Sequence, residues 1–214
     1  MRMGLKMNMI HKIIINICDV ISYIYPEKII SYLRTMRKYI YGSRIKRKLY
    51  SHGKIFGAFP PMQLKGGKYI RVGEHFSAAS GMILQCWDQY GDNNYDPEMC
   101  IGDNAEFGRN NYIGCINKIV IGDNLLTGGN VHITDHNHGL ISSKDIGIPP
   151  IKRELFSKGA VVIGDNVWLG DNVMILPKVK IGNNVIVGAN SVVTQDLPDN
   201  CVAAGAPARI VKEL

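Results

Sequence analysis

Two histidines that stand two residues apart, His136 and His138 in the run ITDHNHG, are the side chains of this chain best suited to proton transfer. An imidazole titrates near neutral pH, so its neutral form can act as a general base toward a hydroxyl group. In an extended backbone the two rings share one face and their neighbours point the other way. Asp135 therefore orients His136 only if the backbone bends there, and is otherwise a contact for the substrate.

The same histidines allow a second chemistry, because three imidazoles can hold a zinc ion. His75 and His132 would complete such a set with His136 and His138. Three of the four crowd into seven residues, however, and His75 lies far away in the sequence. We therefore favour general-base chemistry and expect no metal.

The positive charge of the chain is concentrated at its N-terminus. Residues 1–50 contain 11 Lys and Arg and two acidic residues, whereas the remainder contains 14 Lys and Arg and 16 acidic residues. Apolar residues such as Ile13, Ile17 and Val20 recur there at helical spacing, which predicts a basic helical segment over residues 1–50. Such a segment is either a solvated helical face or a contact for an anionic surface such as a membrane.

The sequence predicts neither a membrane span nor a signal peptide in this segment. The apolar stretch 13–25 is interrupted by Asn16 and Asp19, and it is shorter than the roughly 20 residues that a spanning helix needs. It also lacks a small-residue cleavage site. The five cysteines form no C-x-x-C pair and no metal spacing, so we interpret them as small buried residues in a reducing cytosol. We therefore predict a cytoplasmic protein.

From residue 70 onward the sequence follows a repeat of six residues. The clearest block, from Ile163 on, reads IGDNVW, LGDNVM, ILPKVK, IGNNVI, VGANSV and VTQDLP. Its first position is always aliphatic, its second is glycine in four of the six hexads, and its fifth is small or apolar. Similar blocks begin at Val72, Ile101 and Ile121, and two stretches near 88–99 and 139–160 break the register. We interpret these two stretches as loop insertions.

A period of six is typical of a triangular coil of short parallel strands. Each strand directs one aliphatic side chain to the axis, and Gly or Asn follows at a corner that needs positive φ. Successive coils pair their backbone groups at the usual strand spacing, so stability comes from stacking. A β-sandwich would instead show a period of two, which does not keep Gly and Asn in phase. We predict that residues 51–214 form this coil behind the helical segment.

Four features of the sequence carry a family resemblance: the hexads, the run TDHNHG at 134–139, the segment VWLG at 167–170 and the closing run GANSVVTQDLPDNCVAAGAPARIVKEL. With them, the chain resembles the hexapeptide-repeat acyltransferases over roughly residues 70–212. The pattern is most similar to the branch that O-acetylates lipopolysaccharide O-antigen and capsule. It is less similar to the branch that acts on free galactosides and maltose. The resemblance implies an all-β fold, a left-handed parallel β-helix of hexapeptide repeats with an N-terminal helical segment. It also implies a homotrimer that uses acetyl-CoA.

The resemblance further implies roles for individual residues. The catalytic histidine of the family matches His136, with His138 as the alternative. The acceptor contacts would be Asp135, His138, Asn111 and Trp168, and the positions that match the CoA-binding wall are Gly170, Asp171, Gly188, Ala189, Thr194, Gln195, Arg209 and Lys212.

Structural roles compete with several of these assignments. Trp168 could pack under the second loop, Asn111 could shape a corner of the coil, and Arg209 and Lys212 could form an exposed basic tail. Some relatives have Ser where this chain has Asp171, and an ionised Asp cannot donate a hydrogen bond. Any contact to an oxyanion at this position must therefore come from a backbone N–H or another group.

We therefore predict an acetyl-CoA-dependent O-acetyltransferase that acts on a sugar hydroxyl of a bacterial surface polysaccharide or its precursor. His136 would be the general base, with no nucleic-acid partner and with the inner membrane face as a candidate contact of the basic segment. The alternatives are an N-acetyltransferase of an amino-sugar nucleotide, a non-catalytic trimer and the zinc enzyme.

Overall fold

The computed structural model describes residues 9–24, 27–140 and 142–214 of the 214-residue chain. The described part begins with two α-helices, α1 (Met9–Ile24) and α2 (Glu27–Lys46), which confirms the predicted N-terminal helices. Residues 1–8 and 25–26 of the predicted helical segment, and residue 141 of the second predicted loop, lie outside the described residues. The chain divides into two compact units, one up to Arg37 and one from Lys38 to Leu214.

Helix α1 carries large apolar side chains that are exposed, among them Ile13, Ile17, Val20 and Ile21. Of the helices in the described ranges, none is both long and apolar enough to cross a bilayer. Cys18 on this helix is exposed and Cys100 is partly exposed, so the prediction of buried cysteines is wrong for these two and holds for the other three.

Most strands of the described residues belong to three sheets whose strands alternate along the chain. The first sheet consists of Ser51–His52, Ile70–Val72, Glu98–Ile101, Lys118–Ile121, Val161–Ile163 and Lys180–Ile181. The second consists of Phe56–Ala58, Phe76–Ala78, Glu106–Phe107, Leu126–Thr127, Trp168–Leu169, Ile186–Val187, Cys201–Gly205 and Ala208–Glu213. The third consists of Met62–Lys65, Met82–Cys86, Tyr112–Cys115, His132–Thr134, Met174–Ile175 and Val192–Val193.

Each coil takes one strand from each sheet and pairs in parallel with the coils on either side. The register superimposes repeat positions, as where Ile121 pairs with Ile163, and Ile163 with Ile181. These inward side chains are almost fully buried, which explains the aliphatic first position of the hexads. The last strand, Ala208–Glu213, turns back and pairs antiparallel with Cys201–Gly205.

The corners of the coil are built on asparagines with positive φ. At the corner between the first and second sheets, Asn124, Asn166 and Asn184 have φ between 56° and 59°. Their side chains form a ladder in which Asn124 Nδ2 donates to Asn166 Oδ1 at 2.9 Å, and Asn166 Nδ2 donates to Asn184 Oδ1 at 3.0 Å. Asparagine tolerates the left-handed region better than other non-glycine residues. The predicted corner role of the repeat asparagines is therefore correct.

Two insertions leave the coil where the hexads fail. The first contains a small hairpin (Gln89–Tyr90 with Asn93–Asn94) and returns to the first sheet at Glu98. The second contains the 3₁₀-helices Ser143–Asp145 and Pro150–Lys152, and its strand Leu155–Phe156 pairs antiparallel with Asn137–His138. A further 3₁₀-helix, Gly67–Tyr69, precedes the second strand of the first sheet.

The two insertions contact each other beside the histidine run. Tyr90 Oη donates to the backbone oxygen of Ile151 at 3.0 Å, and the backbone N–H of Leu155 donates to Tyr95 Oη at 3.0 Å. The sequence places these insertions about 60 residues apart, and the coil brings them together.

Candidate active site

His136 lies at the corner where the chain leaves the third sheet, just after the strand His132–Thr134. Its Nδ1 is 2.9 Å from Asp135 Oδ1 and 3.2 Å from Thr134 Oγ1. The side chain of His136 is about 10% exposed, whereas that of Asp135 is fully buried. The backbone does bend after Thr134, because neighbouring side chains in a regular strand could not meet in this way.

Asp135 is held by a turn of the preceding coil. The backbone N–H groups of Asn117 and Lys118 each donate to Asp135 Oδ2 at 2.8 Å, and that of Ile116 donates to Oδ1 at 3.0 Å. A buried carboxylate with three backbone donors is fixed in position. The assignment of Asp135 as an acceptor contact is therefore wrong, because both its oxygens are buried and engaged. The geometry supports the alternative in which Asp135 orients His136.

This pair determines which ring nitrogen of His136 can accept a proton. When the Nδ1–H donates to Asp135 Oδ1, the proton-free nitrogen of the neutral ring is Nε2. A buried carboxylate that holds an imidazole in one tautomer is an arrangement that suits general-base catalysis. The catalytic role of His136 stays a prediction, and the inward turn of Asp135 has no signature in the hexads.

His138 lies outside this pair. It belongs to the two-residue strand Asn137–His138, its side chain is exposed, and its ring meets that of Tyr90 edge-on with 5.4 Å between centroids. The structure therefore separates the two histidines by environment, since only His136 is anchored by a carboxylate within the described residues.

An aromatic pair covers the third sheet next to the His136 corner. The rings of Tyr112 and His132 stack with centroids 4.4 Å apart. Burial raises the pKa of Tyr112, and the nearby charge of Asp135 raises it further. Burial lowers the pKa of His132, and the charge of His136 adds to this effect. His132 was expected from the sequence only as a zinc ligand, and Tyr112 carries no sequence signal that marks it as part of the site.

Cys115 is a buried thiol in contact with the anchoring carboxylate. Its Sγ lies 3.4 Å from Asp135 Oδ2. The pKa of the Cys115 thiol is raised well above its ordinary range, chiefly by a hydrogen bond with Cys86 and next by burial. It therefore stays protonated and can donate a weak hydrogen bond to Asp135.

Asn111 does not fit its predicted role as a contact for the acceptor substrate. It is buried, its Nδ2 donates to Thr127 Oγ1 at 2.6 Å, and its Oδ1 accepts the backbone N–H of Val131 at 2.6 Å. All its polar atoms are thus used inside the coil. The prediction is corrected to the structural alternative, in which Asn111 shapes a corner between the second and third sheets.

Trp168 lies on the outer face of the second sheet between Leu126 and Ile186, and about half of its surface is exposed. A shallow cavity of about 260 Å³ on the same sheet is lined by Phe59, Ser77, Ala79, Glu106, Phe107, Gly108, Leu126 and Thr127. Within one chain, Trp168 and His136 occupy different parts of the coil, because His136 stands at the corner between the third and first sheets.

Gly170 and Asp171 form the corner between the second and third sheets. Asp171 Oδ1 accepts the backbone N–H of Gly129 in the preceding coil at 2.6 Å. The next coil has Ala189 at this position, which offers no side-chain acceptor. Within the described residues, the backbone N–H of Asp171 therefore makes no hydrogen bond and faces a small side chain.

Thr194 and Gln195 line an open cavity of about 550 Å³ that includes Asn137, the residue after His136. Lys158 and Lys178 line the same cavity, and neither of them was predicted from the sequence as a site residue. The only sequence signal for Lys178 is its place in the hexad ILPKVK, where it takes the corner position with φ of 72°.

The remaining predicted CoA contacts lie elsewhere. Gly188 and Ala189 follow the strand Ile186–Val187, and Arg209 and Lys212 are exposed on the last strand of the second sheet. Arg209 Nη1 donates to the backbone oxygen of its neighbour Ala208 at 2.8 Å. In one chain they do not line the cavity that contains Thr194.

The described residues contain no cluster of three or more His, Cys, Asp and Glu side chains arranged to hold a metal ion. The ring of His136 is engaged by Asp135, and that of His132 is stacked on Tyr112.

Comparison with known proteins identifies the repeat. Residues 160–195 match the family model described as bacterial transferase hexapeptide (six repeats). The chain is 41% identical over 157 residues to a putative lipopolysaccharide biosynthesis O-acetyl transferase, WbbJ, of Escherichia coli K12, and this match covers 72% of the chain and 76% of the relative.

Two solved structures share the architecture. A maltose O-acetyltransferase from Clostridium difficile 630 superimposes with a TM-score of 0.55 and 30% identity, over 80% of this chain and 73% of that one. The hexapeptide-repeat acetyltransferase VCA0836 from Vibrio cholerae, in complex with acetyl-CoA, gives 0.55 and 28%, over 79% and 73%. The predicted left-handed parallel β-helix is thereby confirmed, and the chain belongs to the hexapeptide-repeat acyltransferases.

Proposed function

We propose that this chain transfers the acetyl group of acetyl-CoA to a sugar hydroxyl of a bacterial surface polysaccharide or its precursor. The observation that carries the proposal is the contact of 2.9 Å between His136 Nδ1 and the buried carboxylate of Asp135. It gives the chain one oriented general base at a corner next to an open cavity. The name of the relative WbbJ supports O-acetylation in lipopolysaccharide biosynthesis.

The chemistry assigned to His136 is a single proton transfer in each direction. Its Nε2 takes the proton of the acceptor hydroxyl as that oxygen attacks the carbonyl carbon of the thioester. The carbon–sulfur bond then breaks, and the imidazolium returns the proton to the departing thiolate. Asp135 stabilises the imidazolium between these steps and keeps its proton-free nitrogen toward the substrate.

The cavity beside Asn137 suits the donor. It provides a polar wall through Thr194 and Gln195, and its two cations, Lys158 and Lys178, outnumber its one carboxylate, Asp196. Phosphate groups bind such cations through charge-assisted hydrogen bonds. The acetyl-CoA complex of the relative VCA0836 supports acetyl-CoA as the donor.

The predicted contacts on the second sheet fit a homotrimer. Within one chain, Trp168 and Asp171 lie away from the His136 corner, so a neighbouring subunit would have to supply them. We propose three such sites, each in a cleft between two coils. There the free backbone N–H of Asp171 would face the thioester oxygen, together with the small Gly170, Gly188 and Ala189.

We further propose that the protein is cytoplasmic and that its basic N-terminal segment touches the inner membrane face. The exposed apolar side chains of α1 support this, since apolar and basic residues together favour anionic lipid surfaces. Sedimentation with vesicles that contain phosphatidylglycerol, compared with phosphatidylcholine vesicles, tests it. Equal recovery in both pellets would contradict it.

The activity is tested with purified protein, acetyl-CoA and a panel of monosaccharides, glycan fragments and amino-sugar nucleotides. Release of free thiol reports transfer, and the mass and alkali lability of the product separate an ester from an amide. We expect an alkali-labile acetyl ester on a neutral sugar. An alkali-stable amide as the sole product would contradict O-acetylation, and failure to bind acetyl-CoA would favour the non-catalytic alternative.

A further inference from the structure

A second cavity lies on the outer face of the first sheet, apart from the one that contains Thr194. Its volume is about 460 Å³, which is within the usual range for small-molecule sites. Its wall is formed by Tyr50, Tyr69, Arg71, Asp96, Glu98 and Lys118. Neither the predicted acceptor contacts nor the predicted CoA contacts lie in it.

This cavity adjoins the anchor of the catalytic pair. Asn117 and Lys118 line it, and the backbone N–H groups of the same two residues hold Asp135 Oδ2 at 2.8 Å. One peptide segment therefore separates the cavity from the carboxylate that orients His136. A group bound in this cavity would lie beside the His136 corner, on the side of the preceding coils. The other cavity lies on the opposite side, because Thr194 and Gln195 belong to a following coil.

The charges around the cavity balance each other. Glu98 lies between two cations, with Oε1 at 2.9 Å from Arg71 Nη1 and Oε2 at 2.8 Å from Lys118 Nζ. Lys68, which also lines the cavity, pairs with Asp88 at 3.1 Å. The lining, which also contains Asp96, thus has three cations and two carboxylates, and each of the three cations already has a carboxylate partner. A site for phosphate or nucleotide would need cations that are free to bind it, so this pairing favours a neutral ligand with many hydroxyl groups.

Two tyrosines add flat apolar surface to these polar groups. The ring of Tyr50 packs against the guanidinium of Arg71 at 4.5 Å and remains 64% exposed. Tyr69 is fixed by its hydroxyl group, which donates to Asp88 Oδ2 at 2.9 Å. Aromatic rings next to paired donors and acceptors suit a pyranose ring, which has apolar C–H faces and a polar edge.

We propose that this cavity binds a second, uncharged sugar residue of the acceptor glycan, adjacent to the residue that is acetylated. The proposal rests on the proposed O-acetyltransferase function and makes its substrate class more specific: an oligosaccharide is a better acceptor than its monosaccharide. The hydroxyl groups of the second sugar bind Asp96, Glu98 and Lys118, and its C–H face packs on the exposed ring of Tyr50.

The test compares each monosaccharide with its di- and trisaccharide as acceptor, using glucose with maltose and maltotriose, and galactose with lactose. The full chain is measured as wild type, Tyr50→Ala and Asp96→Ala, both changes at exposed side chains that leave the core intact. Asp92→Ala is the matched control, because Asp92 is an exposed acid of the same insertion that does not line the cavity.

We expect the wild-type kcat/KM to rise by about tenfold or more from a monosaccharide to its oligosaccharide, which is the size of one well-placed set of contacts. Tyr50→Ala and Asp96→Ala remove this gain through KM, whereas Asp92→Ala keeps it, and activity with the monosaccharide stays the same in all variants. Equal kcat/KM for short and long acceptors, or a gain that survives both changes, overturns the inference and leaves the proposed function standing. Absence of transfer to every acceptor overturns the proposed function itself.

Discussion

Asp135 and His136 are neighbours in the sequence, and their side chains meet with 2.9 Å between Asp135 Oδ1 and His136 Nδ1. The bend after the third sheet turns Asp135 into the core and brings the ring of His136 against it. Three backbone N–H groups of the preceding coil hold the carboxylate. The β-helix thus supplies the orientation of the base from one coil and the base itself from the next. One cavity includes Asn137, the residue after His136, and another includes Asn117 and Lys118, whose backbone N–H groups hold Asp135.

Replacing Asp135 by Asn removes the negative charge while keeping the shape of the side chain. The variant no longer fixes the tautomer of His136, and we expect kcat to fall by about 10²–10⁴-fold. One amide N–H₂ group would also face backbone donors, so the free energy of unfolding should fall by about 1–3 kcal/mol. Turnover measured at a temperature where the variant is folded reports the effect on kcat. Chemical denaturation reports the effect on the free energy of unfolding. Unchanged turnover would contradict the orienting role.

The donor site predicts different effects for different lysines. Lys158→Met and Lys178→Met should each raise the KM for acetyl-CoA by about tenfold at low salt, because each removes one candidate charge-assisted contact with phosphate. The difference should shrink as salt is added. Lys152→Met is the control, because Lys152 is exposed in the second insertion and does not line this cavity. Arg209→Met tests the prediction that Arg209 contacts CoA. A larger rise in KM for this variant than for both lysine variants would favour that prediction.

Gly114 is required by the position of Tyr112. A Cβ atom at residue 114 would clash with the Tyr112 hydroxyl oxygen. Gly114→Ala should therefore displace Tyr112 and lower the free energy of unfolding by about 1–3 kcal/mol. In a Tyr112→Ala background the same change should cost much less, which a double-mutant cycle measures. A purely additive cycle would show that the two residues do not compete for this space.

The partly buried ring of His132 predicts a pH dependence of stability. Its pKa lies below the ordinary value, chiefly because of burial, so the unfolded chain binds the proton more readily than the folded chain. The free energy of unfolding therefore falls as the pH drops through the ordinary histidine range near ~6.5. His132→Phe keeps the stack on Tyr112 without the titrating group. Its melting temperature should fall less than that of wild type between pH 7.5 and 5.5, and parallel curves would contradict this.

The corner asparagines separate backbone strain from hydrogen bonding. Asn166 has φ of 56° and bonds to asparagines of both adjacent coils. Asn166→Ala should lower the free energy of unfolding by about 1–3 kcal/mol, since Ala lacks the polar side chain that lets Asn tolerate positive φ and it breaks the ladder. Asn166→Gly restores the backbone freedom, so it should be less destabilising than Ala. Equal losses for Gly and Ala would show that only the hydrogen bonds matter.

Periodicity explains why the coil could be predicted and why parts of the site could not. The hexads determine which side chain faces the axis, so the aliphatic first position and the asparagine corners follow from the sequence. Asp135 lies where the period ends before the second insertion, and there the hexad pattern no longer tells an inward side chain from an outward one. Asn111 instead holds the fifth position of the hexad FGRNNY, a position that is small or apolar in the clearest block, so the pattern itself favours an inward side chain there. Both were expected to face the substrate, and both are buried and hydrogen-bonded in the coil.

Residues that line cavities are set by long-range stacking. Lys178 faces Thr194 and Gln195 because consecutive coils superimpose, and Lys158 reaches the same cavity from an insertion that has no period. The cavity next to Tyr50 likewise combines the segment after α2, the first insertion and two coils. Such juxtapositions depend on the register of coils and insertions, which the sequence marks only as interruptions.

The central claim is tested most directly by single-turnover transfer from acetyl-CoA to the best acceptor of the panel, measured for wild type, His136→Ala and His138→Ala. CoA affinity and melting temperature are recorded for all three proteins. We predict that His136→Ala loses at least ~100-fold in rate while still binding CoA, since a general base typically contributes 10²–10⁴-fold. His138→Ala should stay within about tenfold of wild type, because no carboxylate anchors its exposed ring. A His136→Ala variant that keeps its rate would contradict the account and leave His138 as the base to test.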